Sequence, residues 1–182
     1  MTRRTGNRER PPLDQQKLNE LALTYVGRFA TSRAKLASYL GRKLRERGWA
    51  GDRPADVEGI VERLASLGYV DDAAYALSKS RALTSRGYGV RRVSQSLRAA
   101  GIGEEDSEPA RDHAEEEAVD SALKFARRRR FGPYGEGGSD RANRERALAA
   151  MVRAGHSFAL AAAILAIEPG GNIDLELLKE KS

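Results

Sequence analysis

One phrase recurs three times in this chain, and it restricts the fold more than any other feature. Leu40, Leu44 and Gly48 are spaced by four; so are Val93, Leu97 and Gly101, and so are Ala147, Met151 and Gly155. Thr31-Ser32-Arg33 recurs as Thr84-Ser85-Arg86 at the offset that separates Gly48 from Gly101, and Gly155 follows Gly101 at nearly the same distance. An apolar i, i+4 run closed by glycine reads as a helix stop. The glycine takes a left-handed conformation at low cost, and the next residue packs back on the last turn. Trp49 would then meet Leu44 and Ile102 would meet Leu97, with His156 on Met151 a weaker match. Three copies of one helix ending imply three related helical modules.

The second copy lies in the most lopsided stretch of charge. Between Asp72 and Glu104 there is no acidic residue, while Lys79, Arg81, Arg86, Arg91, Arg92 and Arg98 are all basic. Ala76, Leu77, Ser80 and Leu83 form one stripe at helical spacing, and Val90, Val93, Leu97 and Ala100 form the next. Arg86-Gly87-Tyr88-Gly89 is the turn between them. At about 100° per residue, Arg91, Arg92, Gln95 and Arg98 fall opposite Val90, Val93 and Leu97. One face can enter a core while the other offers guanidinium forks suited to carboxylate or phosphate. For a single helix a solvated cationic face is the simpler reading; its place in a repeat argues for more.

Taken in order, residues 1–14 are basic and proline-bearing and read as a disordered arm. Module 1, residues 15–69, holds a helix through Leu18, Leu21, Ala22 and Tyr25 with Phe29 beyond, a second through Leu36, Tyr39, Leu40 and Leu44, and a third through Val57, Ile60, Val61, Leu64 and Leu67. Asp52 and Pro54 are its helix-start signals. Module 2, residues 70–113, opens on Asp71 as N-cap, but its third helix is weak: Glu104 to Asp112 is polar and interrupted by Pro109. That helix is either short and begins near Pro109, or absent. Module 3, residues 114–168, runs from Val119, Ala122, Leu123 and Ala126 into Arg127-Arg128-Arg129-Arg130, cations that suit a helix C-terminus. A turn-rich loop at 131–139 is expected to be a mobile insertion. Ser157 caps a last apolar helix, Phe158 to Ile167, expected to be buried. Residues 169–182 are a tail in which Ile173 to Leu178 form one docked turn or nothing.

Thirty-two basic against 26 acidic residues give a net charge of +6, pointing to an acidic partner. There is no cysteine, which leaves no disulfide or zinc–thiolate site and fits a cytoplasmic protein. No apolar run reaches the roughly 20 residues that span a bilayer. The two histidines lie apart, His113 in an acidic segment and His156 after a helix stop. No phosphate-loop, dinucleotide, zinc-protease or nucleophile-elbow motif occurs. Helix capping explains Asp71-Asp72. The reading is therefore a protein that binds rather than an enzyme, with no cofactor, no metal, no membrane and no small-molecule substrate.

Gly68-Tyr69-Val70-Asp71-Asp72 with Tyr75-Ala76, Ser80-Arg81, Arg86-Gly87-Tyr88-Gly89, Arg92, Leu97 and Gly101-Ile102 resembles the core of the RecX family, modulators of the RecA recombinase. Ser32-Arg33 and Leu36 leading to Gly48 resemble that family's first module, and Phe125-Ala126-Arg127-Arg128 leading to Gly155 its third. Val90 departs from a usual proline and Ser96 from a common glutamate. The resemblance implies an all-α protein of three tandem three-helix repeats in an elongated, curved array. It implies a protein that lodges in the RecA–DNA filament and restrains strand exchange, ATP hydrolysis and co-protease activity in recombination and the SOS response. A monomer is expected. Charge and motif together nominate Tyr75, Lys79, Arg81, Arg86, Tyr88, Arg91, Arg92, Arg98, Arg127 and Arg128 as residues that bind the filament or DNA. The alternative is a basic, helix-turn-helix-like module that binds single- or double-stranded DNA on its own.

Overall fold

The computed structural model describes residues 11–136 and 141–182, and among them the regular structure is all helical. Contacts divide the chain into two compact units, Met1–Asp71 and Asp72–Ser182.

In the first unit, α1 (Gln15–Val26) begins where the Asp14 carboxylate accepts from the Lys17 N–H at 2.8 Å. Helix α2 (Arg33–Arg47) is capped by Ser32, and α3 (Val57–Ser66) by Asp56, which accepts from Gly59 N–H. The third helix thus starts from Asp56 rather than from the Asp52 and Pro54 signals. Leu18, Leu36, Leu40, Ile60, Val61 and Leu64 make the core. The disordered arm expected at 1–14 is corrected at its inner end: Leu13 is fully buried, and its backbone bonds Gly48 and Ala50 beside Trp49. Arg47 holds the Pro11 carbonyl at 2.8 Å. Residues 1–10 lie outside the described residues.

The second unit opens with α4 (Asp72–Thr84), α5 (Val90–Ala99) and α6 (Glu104–Glu116) around Ala76, Val93, Leu97, Ala100, Ile102, Ala110 and Ala114. Helix α6 is a full 13-residue helix despite Pro109, so neither a short helix nor an absent one is found. Its buried stripe is Ser107, Ala110 and Ala114. Small residues at helical spacing let α6 lie closely on α4, where Ser80 Oγ meets His113 Nδ1 at 3.2 Å. Glu104, Glu105 and Asp106 in the first turn complement the positive end of the helix dipole. These gains offset the single backbone bond that Pro109 removes.

Helices α7 (Ala118–Arg129), α8 (Arg141–Arg153), α9 (Phe158–Ala166) and α10 (Leu175–Lys179) enclose Val119, Ala122, Phe125, Met151, Leu160 and Ile164. Ser157 caps α9 as expected, by accepting from Leu160 N–H. That helix is buried along Leu160, Ala161 and Ile164, while Phe158 at its start is exposed. Leu178 on α10 is 1% exposed, so the tail supplies the docked turn. The loop at 131–139 is packed where described: Pro133 is buried in a short 3-10 turn, and its carbonyl accepts from Gly170 N–H. Residues 137–139 lie outside the described residues. No helix among the described residues is long and apolar enough to cross a membrane.

Candidate partner-binding interface

Two turns of the second unit pack backbone against backbone. Helix α4 ends with Gly87 left-handed at φ +80, its N–H on Thr84 and that of Tyr88 on Leu83. Helix α8 ends the same way at Gly155, whose N–H bonds Val152 while His156 N–H reaches Met151. Between them, Gly89 N–H donates to the Ala154 carbonyl at 3.0 Å and Arg91 N–H to the Gly155 carbonyl at 3.1 Å. A Cβ on Gly89 would sit 2.5 Å from the Gly155 carbonyl carbon, and one on Gly155 would sit 2.5 Å from Arg92 N. Only glycine permits this approach.

His156 completes the lock. It is 2% exposed, its ring meets Phe125 edge-on at 5.7 Å, and its Nε2 lies 3.2 Å from the Gly87 carbonyl. A carbonyl only accepts, so Nε2 carries the proton. Burial holds the imidazole pKa down to about 4, with the Gly87 bond pulling weakly upward. His156 is therefore neutral at pH 7 and structural.

The arginines stand on this base. The Arg86 and Arg92 guanidiniums each lie 5.9 Å from the centre of the Tyr88 ring. Arg128 donates to the Arg86 carbonyl and covers the Phe125 ring at 5.3 Å, with Arg129 at 5.9 Å. Arg127 covers Tyr134 at 5.2 Å. All five arginines are exposed, and among the described residues none of them forms an ion pair. Arg130, by contrast, is paired with Glu136. Each cation–ring contact is worth about 0.5–1 kcal/mol at an exposed site, enough to order a guanidinium while leaving its donors outward. Such a surface takes phosphate or carboxylate groups by charge-assisted bonds.

Of the nominated residues, Arg86, Tyr88, Arg92, Arg127 and Arg128 form this set. Arg91 adjoins it through its backbone and borders a cleft of about 290 Å³ that also touches Glu115, His156 and Leu160. Arg98 stands apart, beside Arg111 in a polar cleft of about 200 Å³ between α5 and α6. Tyr75 and Lys79 are half-buried on α4, and Arg81 is exposed there. Sequence reasoning missed Arg129, although it sits in the Arg127–Arg130 run, and missed the roles of Phe125 and His156, which no local pattern marks. Among the described residues no group of three or more His, Cys, Asp or Glu side chains is placed to hold a metal ion.

No protein-family model matches the chain. Regulatory protein RecX of Myxococcus xanthus is 32% identical over 160 residues, covering 84% of this chain and 86% of that one. Regulatory protein RecX of Deinococcus radiodurans is 34% identical over 122 residues, 64% of this chain and 57% of its own length. In structure, RecX from Lactobacillus salivarius superposes with a TM-score of 0.59 at 22% identity, over 82% of this chain and 93% of that one. A second crystal structure of a regulatory protein RecX gives a TM-score of 0.59 at 25% identity, over 83% and 70%. The all-helical fold is thus shared with these structures, and by its sequence the chain belongs to the RecX family of regulatory proteins.

Proposed function

We propose that this protein is a non-enzymatic regulator that binds the RecA–DNA filament and restrains its recombinase, ATPase and co-protease activities. The observation that carries the reading is the arginine cluster of the second unit. Five guanidiniums without carboxylate partners among the described residues are held on rings and on a rigid pair of turns. Pre-ordered cations lose little freedom on binding and steer an acidic partner toward the surface. Membership in a family of regulatory proteins supports the same reading. The division into three tandem modules, action as a monomer and a cytoplasmic location belong to this proposal.

Sedimentation of the purified protein with RecA filaments tests it. The protein should pellet with filaments assembled on single-stranded DNA and remain in the supernatant without them. A protein that stays in the supernatant at micromolar filament contradicts the proposal. Direct DNA binding is the second reading, favoured by the same unpaired arginines. It predicts an affinity for bare DNA that falls steeply with salt, by a slope set by the number of phosphates neutralised.

A further inference from the structure

The first unit carries an aromatic ladder that the arginine cluster does not involve. Phe29 follows α1, with its N–H on the Tyr25 carbonyl and its ring 5.3 Å from the Tyr25 ring at a 46° tilt. Tyr25 stacks on Tyr39 of α2, with centroids 4.1 Å apart and planes within 17°. Beyond Tyr39 the ladder ends in cations: the Arg42 guanidinium lies 5.5 Å from the ring centre and the Lys43 ammonium 5.8 Å.

Core packing accounts for part of this. Tyr25 and Tyr39 are half-buried against the first unit's core. It does not account for Phe29, a residue that stays 57% exposed at the open end. The surrounding charge is one-sided. Helix α2 carries Arg33, Lys35, Arg42, Lys43, Arg45 and Arg47 against Glu46 alone. Glu46 is shared by Arg42 at 2.9 Å and Lys43 at 2.7 Å, which leaves that end of the ladder net positive. A partner that fits needs flat apolar faces with negative charge between them. A lone acidic peptide supplies the charge without the faces, and duplex DNA keeps its base faces stacked on one another. Unpaired bases offer both.

We infer that Phe29, Tyr25 and Tyr39 form a base-stacking site for single-stranded nucleic acid, with Arg42 and Lys43 on its phosphate side. A base lies on the open face of Phe29, the two tyrosines hold that ring in place, and the cations of α2 take the backbone. The site stands whether or not the second unit engages a filament.

Two fluorescent probes of equal length and charge separate stacking from electrostatics: a 15-nucleotide oligothymidylate and an abasic oligodeoxyribonucleotide. By anisotropy with the full chain, the oligothymidylate should bind about tenfold more tightly than the abasic strand, in the range one stacked base provides. Phe29→Ala should bring that ratio close to one, and Phe29→Trp should preserve or raise it. Arg42→Gln with Lys43→Gln should weaken both probes alike, and Arg92→Glu with Arg128→Glu in the second unit should leave the ratio unchanged. Thermal melting confirms that each variant folds, and Phe29→Trp keeps the test decisive if Phe29→Ala does not. Equal affinity of the parent for the two probes, binding of neither, an unchanged ratio in Phe29→Ala, or a ratio lost in Phe29→Trp would overturn the inference. So would polyglutamate of matching charge competing as well as the oligothymidylate.

Discussion

The two units assemble the same ingredients in opposite order. In the second unit rings lie beneath and guanidiniums face outward: Phe125 is buried under Arg128 and Arg129, and Tyr88 is half-buried between Arg86 and Arg92. In the first unit a ring faces outward: Phe29 is exposed, and the two cations at the other end of its ladder share one carboxylate, Glu46. Counting charge does not separate them, since α2 has six basic residues while α5 has three and α7 four. What separates them is which group is left unpaired at the surface. Free guanidiniums select anions, whereas a free ring selects another flat face.

The comparison depends on the turn-on-turn lock beneath the arginines, so the largest effect should come from breaking it. Gly155 has φ +101 and a Cβ there would strike Arg92 N at 2.5 Å. Gly155→Val adds backbone strain to steric overlap, and a loss on the order of 3–5 kcal/mol is expected in the second unit. Trp49, the only tryptophan, lies in the first unit and reports on it separately. Urea unfolding should show the circular dichroism midpoint falling while Trp49 fluorescence keeps the parent's midpoint. Coincident shifts of both would show that the units are not separable in this way.

Protonation loads the same lock. The folded pKa of His156, about 4, lies below the ordinary value near 6.5, so the unfolded chain binds this proton first. Its contribution is intact above about pH 6.5 and drains as pH falls toward 4, by about 3 kcal/mol in all. The difference in unfolding free energy between the parent and His156→Gln should therefore change across that window and be flat above pH 7. A pH-independent difference would mean that the imidazole is not held neutral.

A milder contrast comes from Gly48, at φ +78 and ψ 173 but with nothing within 4 Å of an added Cβ. Gly48→Val meets strain without overlap and should cost about 1–3 kcal/mol, read by Trp49 fluorescence. A cost equal to that of Gly155→Val would remove the distinction between a helix stop in open space and one pressed against a neighbour. The smallest effect should come from Arg42→Gln, at ~0.5–1 kcal/mol. It removes one exposed cation–ring contact and leaves Glu46 to Lys43.

The helix stops were legible because their chemistry is local. The glycine, its conformation and the apolar residue behind it sit within one turn, and Gly48, Gly101 and Gly155 all have positive φ. At Gly101 and Gly155 both closing bonds form as expected, whereas Gly48, with ψ 173, bonds Leu44 and then runs extended beside Leu13. Helix α6 was not legible, because hydrophobic patterning marks large apolar side chains while the helix buries Ser107, Ala110 and Ala114. Small residues carry little hydrophobic signal, yet they allow the close approach that packs α6 on α4. The outward face of α5 was readable from periodicity, and Arg91, Arg92, Gln95 and Arg98 are all exposed. Which arginines stand together was not readable, since Arg86 and Arg128 are brought together by the close packing of Gly87 on α7 and not by spacing. Leu13 shows the same limit at the N-terminus: its burial depends on Gly48 and Ala50, far along the chain. The ladder had a faint signal in the four-residue spacing of Tyr25 and Phe29 and the basic excess of α2, but helix patterning reads such rings as core.

The central claim is that the unpaired arginines of the second unit make the regulatory contact. A strand-exchange titration with Arg92→Glu and Arg128→Glu combined tests it most directly, beside a control reversing Asp112 and Glu116 to lysine on the acidic helix α6. Exposed charge changes usually cost under ~0.5 kcal/mol, although these two arginines also lose ring contacts, so melting curves accompany each variant. The account predicts that the folded arginine variant needs at least about tenfold more protein to inhibit RecA strand exchange, the equivalent of about 1.4 kcal/mol of binding, while the control inhibits like the parent. Full inhibition by the folded arginine variant at the parent's concentration would contradict it.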